Sequence, residues 1–350
     1  MPVEDNLLVR WIVDSCLDTR NNVSAPAGYH RCQGAASLAT CRQLDDLYGA
    51  FIKQLRWDVD KLLSVWFGEL RMKSRPYAWN VAAGIGGEAY GVMGAGFDLV
   101  AVEKSAACEA EFPMVHPSTG AQAKFVCQDL WAWMDQQDLN CCRLPNLVCG
   151  GLPCAGYSNV SSIGVPSEMA RWVATMRCKL DRMAHKLKTE KNHDMVWWLE
   201  NVPQAAGDMV HPTCICGAAL GLPLFRHRLF DSNFGVQPVV CRHSGMCVST
   251  RSPYRQARSA WFVTRATKNR PRWVKQGCKC GGNTFQLFGG HFGGNMGSLT
   301  DQQRALGMDW GFDAKQLHQC IPPVYGLWMG RFALQHLICA RLRSLNGMTF

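Results

Sequence analysis

Trp79-Asn80-Val81-Ala82-Ala83-Gly84-Ile85-Gly86-Gly87-Glu88-Ala89-Tyr90-Gly91, together with the later run Leu99-Val100-Ala101-Val102-Glu103, decides the fold. A short apolar run opens into glycines, a helical stretch from Glu88 to Met93 follows, and a second apolar run closes on an acid. Strand, turn, helix and strand in that order make the first unit of a parallel α/β sheet. Working outward, Lys124 to Cys127, Asn146 to Cys149 and Met195 to Leu199 read as further strands, with a helix over Met169 to Leu187. The alternation predicts a parallel α/β sheet whose binding crevice lies at the carboxyl ends of its strands. Before this unit, residues 1–77 read as a largely helical extension, with Leu44, Leu47, Phe51, Leu55, Val59 and Leu62 at three- and four-residue spacings.

Composition limits the alternatives. Hydrophobic residues make up 47% of the 350 and charged residues 18%, which excludes a disordered, collagen-like or coiled-coil chain. The start, Met1-Pro2-Val3-Glu4-Asp5-Asn6, is acidic, and no apolar run reaches the roughly 18 residues that span a bilayer, so neither secretion nor membrane insertion is expected. The 18 cysteines, including the adjacent pair Cys141-Cys142, suit a reducing compartment. The formal net charge is +10, and its excess sits in one place: Ser232 to Thr300 holds ten Lys and Arg and no Asp or Glu. Such a block, interleaved with Tyr254, Trp261, Phe262 and Trp273, predicts contact with a polyanion such as nucleic acid.

Three loops carry candidate chemistry. Gly84 and its neighbours, with Glu103 closing the next strand, suit an adenosine-containing cofactor, either a dinucleotide or S-adenosylmethionine, because an acid there can bind both ribose hydroxyls. Gly150-Gly151-Leu152-Pro153-Cys154-Ala155-Gly156 places a cysteine at a strand's carboxyl end, where a loop on a rigid scaffold presents its side chain to the crevice. Trp197-Trp198-Leu199-Glu200-Asn201-Val202 brings a carboxyl to the same rim, and tryptophans beside it would raise its pKa. Cys241, His243, Cys278 and Cys280, with His211, Cys214, Cys216 and Cys247 as spares, are spaced too tightly for the usual structural zinc site, so no metal is expected.

The order of these features resembles the DNA (cytosine-5) methyltransferases, most closely their short bacteriophage and restriction-modification members. The resemblance runs from about Trp79 to Gly330 and takes in Asp129-Leu130, Pro153-Cys154, Glu200-Asn201-Val202, Arg226-His227-Arg228 and Gln319-Cys320-Ile321-Pro322-Pro323. It implies a Rossmann-like methyltransferase domain over 78–231 and 301–350, interrupted by a target-recognition domain over 232–300. S-adenosyl-L-methionine is the implied cofactor, held by Ala82, Gly84, Ile85, Gly86, Gly87, Glu103, Lys104, Asp129, Leu130 and Pro153. Cys154, Glu200, Asn201, Arg226 and Arg228 are the implied catalytic set, acting on a cytosine flipped out of double-stranded DNA by one protomer. The resemblance places the chain in the cytoplasm of a prokaryote or phage-infected host, or in a nucleus. Ala82, Leu152, Ala155, Leu224 and Gln319 depart from the family pattern without removing a reacting group. RNA (transfer RNA) cytosine methylation and a catalytically inactive nucleic-acid-binding relative are the competing implications, and an NAD-dependent oxidoreductase would leave Cys154 and Glu200 unexplained.

Overall fold

Five parallel strands form the body of a sheet: β1 (Tyr77–Val81), β2 (Asp98–Glu103), β3 (Ala123–Cys127), β4 (Leu147–Gly151) and β5 (Val196–Asn201). Two more, β6 (Thr213–Cys216) and β7 (His227–Ser232), complete the order β3-β2-β1-β4-β5-β7-β6, with β7 antiparallel to both of its neighbours. The computed structural model describes residues 38–154, 157, 171–222, 226–239, 261–265, 271–275, 299–311 and 314–346. Most of the basic block, the first 37 residues and Cys241, His243, Cys247, Cys278 and Cys280 therefore lie outside the described residues. Within the block, β8 (Trp261–Arg265) and β9 (Pro271–Lys275) pair antiparallel as a two-stranded sheet, where sequence periodicity gave no strand.

The expected α/β class and Rossmann-like winding are found. Strand order runs outward from β1 to β3 on one side and from β4 onward on the other, so the topological switch point lies between β1 and β4. Apolar side chains alternate to both faces, because strands buried on two sides need hydrophobic residues at every position. One face, with Trp198, Phe230 and Cys149, packs on α1 (Leu38–Ser64), α2 (Gly87–Gly94) and the C-terminal α7 (Pro323–Asn346). The other, with Trp79, Val81, Trp197 and Leu199, packs on α3 (Leu130–Asp135) and α4 (Trp172–Lys191). Helices α5 (Leu299–Leu306) and α6 (Ala314–Gln319) lead back to the first face. Of the helical extension, Leu55, Val59 and Leu62 are buried there, and Arg331 of α7 pairs with Asp58 of α1 at 3.4 Å. No helix among the described residues is long and apolar enough to cross a membrane.

Glycine serves the packing of α2 on α7. A Cβ on Gly91 would sit 1.9 Å from the Pro323 carbonyl oxygen, and one on Gly326 would sit 2.2 Å from that of Glu88. The two helices thus approach backbone to backbone, which only glycine permits.

Candidate active site

The crevice is built from the carboxyl ends of β1, β2, β4 and β5 and the amino end of the antiparallel β7. At its first edge, β1 runs into a turn in which Ala82, Gly84 and Gly86 take φ of +56°, +55° and +86°. A Cβ on Gly84 would meet nothing within 4 Å, so its backbone faces open space. Glu103, the last residue of β2, reaches across: Oε2 accepts from the Gly84 amide at 3.0 Å and Oε1 from the Ser105 amide at 3.0 Å. Each oxygen keeps lone-pair capacity for a further donor. An open glycine backbone beside a strand-end carboxylate fits an adenosine ribose, with Gly84 and Glu103 as the holding residues.

Other residues expected at the cofactor edge sit differently. The room beside Gly87 holds the Ile321 carbonyl oxygen, 2.2 Å from a built Cβ, and the Cys320 thiol, so its close approach is to the chain's own C-terminal segment. Ile85 is buried in the core, and its carbonyl accepts from the Trp310 indole at 2.9 Å. Leu130 is likewise buried, while Lys104 is exposed and Pro153 half-buried. Asp129 caps α3, its Oδ1 accepting from the Trp131 and Ala132 amides at 2.9 and 3.2 Å.

At the second edge, β4 and β5 pair in parallel with Gly151 opposite Glu200. Cys154 follows three residues after Gly151 and is exposed. Asn201 points its amide to the Leu152 carbonyl at 3.1 Å, so the residue after Glu200 ties down the segment that carries the cysteine. Glu200 is 5% exposed, and its neighbour across the strand gap is Phe230 of β7. Side chains two apart on a strand share a face, so Arg228, and Arg226 just before β7, lie on the side of Phe230 and Glu200. The Arg228 Nε to Glu200 Oε1 separation is 2.7 Å. That N–H is not aimed along the line of approach, leaving Glu200 Oε1 buried without a directed donor among the described residues.

Arg226 is also buried. Its Nη2 donates to the His318 carbonyl at 3.0 Å, while Nε and Nη1 have no partner among the described residues. The Tyr325 hydroxyl donates to the Arg226 carbonyl, so the C-terminal segment fixes this arginine by both its ends. Burial lowers the Arg226 pKa to about 10, with the nearby Arg228 charge acting in the same sense, which still leaves the guanidinium charged at neutral pH. Burial raises the Glu200 pKa, opposed by Arg228 and Arg226. The tryptophans play a different part from the one expected: Trp197 donates its indole N–H to Asp181 at 3.0 Å and Trp198 to Glu88 at 2.8 Å. Two guanidinium groups at this rim favour an electron-rich carbonyl oxygen, while burial, against their pull, favours the protonated form of Glu200.

Sequence reasoning missed Glu88. It is 3% exposed within α2, and its carboxylate accepts from Asn80 Nδ2 at 2.8 Å as well as from Trp198. Burial, reinforced by the charge on Glu200, raises its pKa to about 7. The signal was there: Glu88 is the lone charged residue of an otherwise apolar and glycine-rich helix, and Asn80 stands between Trp79 and Val81 in a strand covered on both faces. Among the described residues no group of three or more His, Cys, Asp or Glu is arranged to hold a metal.

No family model matches the chain, and neither does any curated protein. Solved structures do. A prophage-encoded E. coli protein assigned as a DNA modification methyltransferase is 14% identical, with 75% of this chain and 99% of that one covered and a TM-score of 0.42. A methyltransferase of Entamoeba histolytica is 11% identical, with 78% and 99% covered and a TM-score of 0.36. A glycopeptide N-methyltransferase complexed with S-adenosyl-L-methionine is 14% identical, with 49% and 66% covered and a TM-score of 0.22. All three scores lie below 0.5, so the fold rests on the strand order and the site on its geometry.

Proposed function

We propose that this chain transfers a methyl group from S-adenosyl-L-methionine to C5 of a cytosine in double-stranded DNA. The observation that carries the reading is the rim of β4, β5 and β7: a cysteine on one strand end, and on the next a buried carboxyl with a raised pKa beside Arg228 and Arg226, the latter with two unmet donor atoms. The cofactor supplies an electrophilic methyl group when bound at Gly84 and Glu103.

C5 of cytosine is too weak a nucleophile to attack that methyl unaided, so the chain must first make the ring electron-rich. The Cys154 thiolate adds to C6, forming a C6–S bond as the C5=C6 π pair shifts into the ring. Glu200 donates a proton to N3 as negative charge develops there, a role suited to a carboxyl whose pKa burial raises. Arg228 binds the O2 side of the base, and Arg226, fixed by His318 and Tyr325, keeps a second positive charge behind it. The C5 pair then takes the methyl group, the broken S–C pair staying on the departing thioether; a base or water removes the C5 proton, the returning electrons re-form C5=C6 and expel the Cys154 thiolate, and N3 gives its proton back to Glu200. A base inside a stacked duplex cannot be reached in this way, so the target is flipped out. In this reading the acid-free segment 232–300 forms the target-recognition element, and its length suits a site of about two to four base pairs with strong salt dependence.

Bisulfite sequencing of DNA from cells expressing the chain tests the reading and its context together. Protected cytosines at a recurring short sequence are expected, and their loss in the Cys154→Ser variant. Protection confined to cellular RNA would move the same chemistry to an RNA substrate, and methylation by Cys154→Ser at the wild-type rate would exclude the covalent route.

A further inference from the structure

The segment that carries Cys154 is pinned a second time, at a place the mechanism does not use. Tyr157 follows the cysteine by three residues, and its amide donates to the Cys154 carbonyl at 2.9 Å. Its hydroxyl donates to Asp208 Oδ2 at 2.7 Å and accepts from the Val173 amide at 3.4 Å. Asp208 ends the 3-10 helix Pro203–Asp208, the segment that continues from Glu200 and Asn201, and Val173 opens the first turns of α4. On the near side of Cys154, Asn201 already holds Leu152 at 3.1 Å. The cysteine therefore sits between two polar ties, and both run to the chain segment that presents Glu200.

We infer that Tyr157 and Asp208 form a latch that positions the Cys154 thiol relative to Glu200, acting on the rate of attack at C6 rather than on the binding of either substrate. The inference rests on the reading of Cys154 as nucleophile. Two groups brought from different strands must close on one six-membered ring, and a misplacement of about an ångström at a reacting atom lowers rates by about a hundredfold. A tie on only one side of Cys154 would let the turn pivot about Leu152. The second tie removes that freedom. Burial and the bond to Asp208 both raise the Tyr157 pKa, so the phenol stays a donor throughout the neutral range. Tyr157 touches neither base nor cofactor in this scheme and is a positioning residue.

The test compares Tyr157→Phe, Asp208→Ala and Asp208→Asn in the full chain, using a duplex that contains 5-fluorocytosine at the target position. Three quantities are read for each: the rate of covalent adduct formation, the Kd for duplex and for S-adenosyl-L-methionine, and the melting temperature. Tyr157→Phe and Asp208→Ala are expected to slow adduct formation about 10- to 100-fold, with both Kd values within about threefold of wild type. Asp208→Asn keeps an oxygen that accepts from the phenol, so it should recover most of the rate. Wild-type adduct rates in Tyr157→Phe, or a loss that Asp208→Asn does not rescue, would overturn the latch. Cys154→Ser run beside them separates the two levels of inference. If Cys154→Ser still methylates an ordinary duplex at the wild-type rate, the nucleophile reading fails. If it is inactive while Tyr157→Phe is unchanged, only the latch does.

Discussion

The turn after β1 and the rim of β4 and β5 lie at the carboxyl ends of neighbouring strands, yet they are held in opposite ways. The turn and the helix behind it are shaped by absence: Gly84 leaves open space, while Gly87 and Gly91 let the C-terminal segment come within backbone contact. The rim is shaped by polar partners, with Asn201 on Leu152, Arg228 on Glu200 and Tyr157 on Asp208. A glycine-rich motif is therefore two devices in one stretch, a ligand-facing turn and a helix-packing face, whereas the rim is held by directed polar contacts.

That division can be broken first within the glycine stretch. Gly91→Ala puts a Cβ 1.9 Å from a carbonyl oxygen that belongs to a packed helix, so it should cost more than about 3 kcal/mol, read from the urea midpoint. Gly84→Ala meets no neighbour and pays only for its left-handed backbone, about 1–2 kcal/mol, with its larger effect on cofactor affinity. Equal destabilisation by the two would erase the distinction. At the rim, a Cβ on Gly151 would stand 2.8 Å from Glu200 Oε2 and 2.4 Å from Ile321 Cδ1, whose flexible end can give way. Gly151→Ala should slow methyl transfer about 10- to 100-fold by displacing the acid, while a folded, cofactor-binding protein remains. Transfer at the wild-type rate would show that Glu200 tolerates displacement.

Glu88 joins the two regions, since it lies in the glycine helix and bonds to the strand that carries Glu200. Its folded pKa of about 7 stands above the ordinary 4.5, so the folded state binds the extra proton between those values. Stability should therefore be fully present below about pH 4.5 and decline as pH rises through about 7, by an amount of order 3 kcal/mol for this group. Glu88→Gln keeps an acceptor for Trp198 and should flatten the melting temperature across that window. An unchanged pH dependence would assign the titration elsewhere. Glu103→Ala removes charge-assisted hydrogen bonds and should weaken S-adenosyl-L-methionine binding by about 1.5–3 kcal/mol in a calorimeter, leaving the fold intact. Tight NAD binding with none of S-adenosyl-L-methionine would replace the cofactor reading.

The five parallel strands were legible to within one or two residues, because buried strands are continuous apolar runs. The antiparallel pair was not. β6 is only Thr213-Cys214-Ile215-Cys216, and β7 begins with His227 and Arg228, whose polarity belongs to the rim and hides the strand. Glu103, Cys154 and Glu200 could be placed at strand ends from sequence, since position after an apolar run is a local property, whereas Arg228 came only from the family resemblance. Glu88 was marked as the lone charge of an apolar helix, but its bond to Trp198, the Tyr157 to Asp208 bond and the filling of the Gly87 space were not, because each depends on a partner between 51 and 234 residues away. Asp129 was open to two readings, and an Asp before Leu130-Trp131-Ala132 is also an ordinary N-cap.

The central claim is that Cys154 attacks C6 of a cytosine ring. A duplex carrying 5-fluorocytosine tests it directly, because fluorine cannot leave C5 as a proton does and the adduct cannot be released after methylation. With S-adenosyl-L-methionine present, the account predicts a denaturation-resistant protein–DNA species whose digest places the base on the peptide containing Cys154. A methylated duplex with no such species, or an adduct on another cysteine, would contradict it.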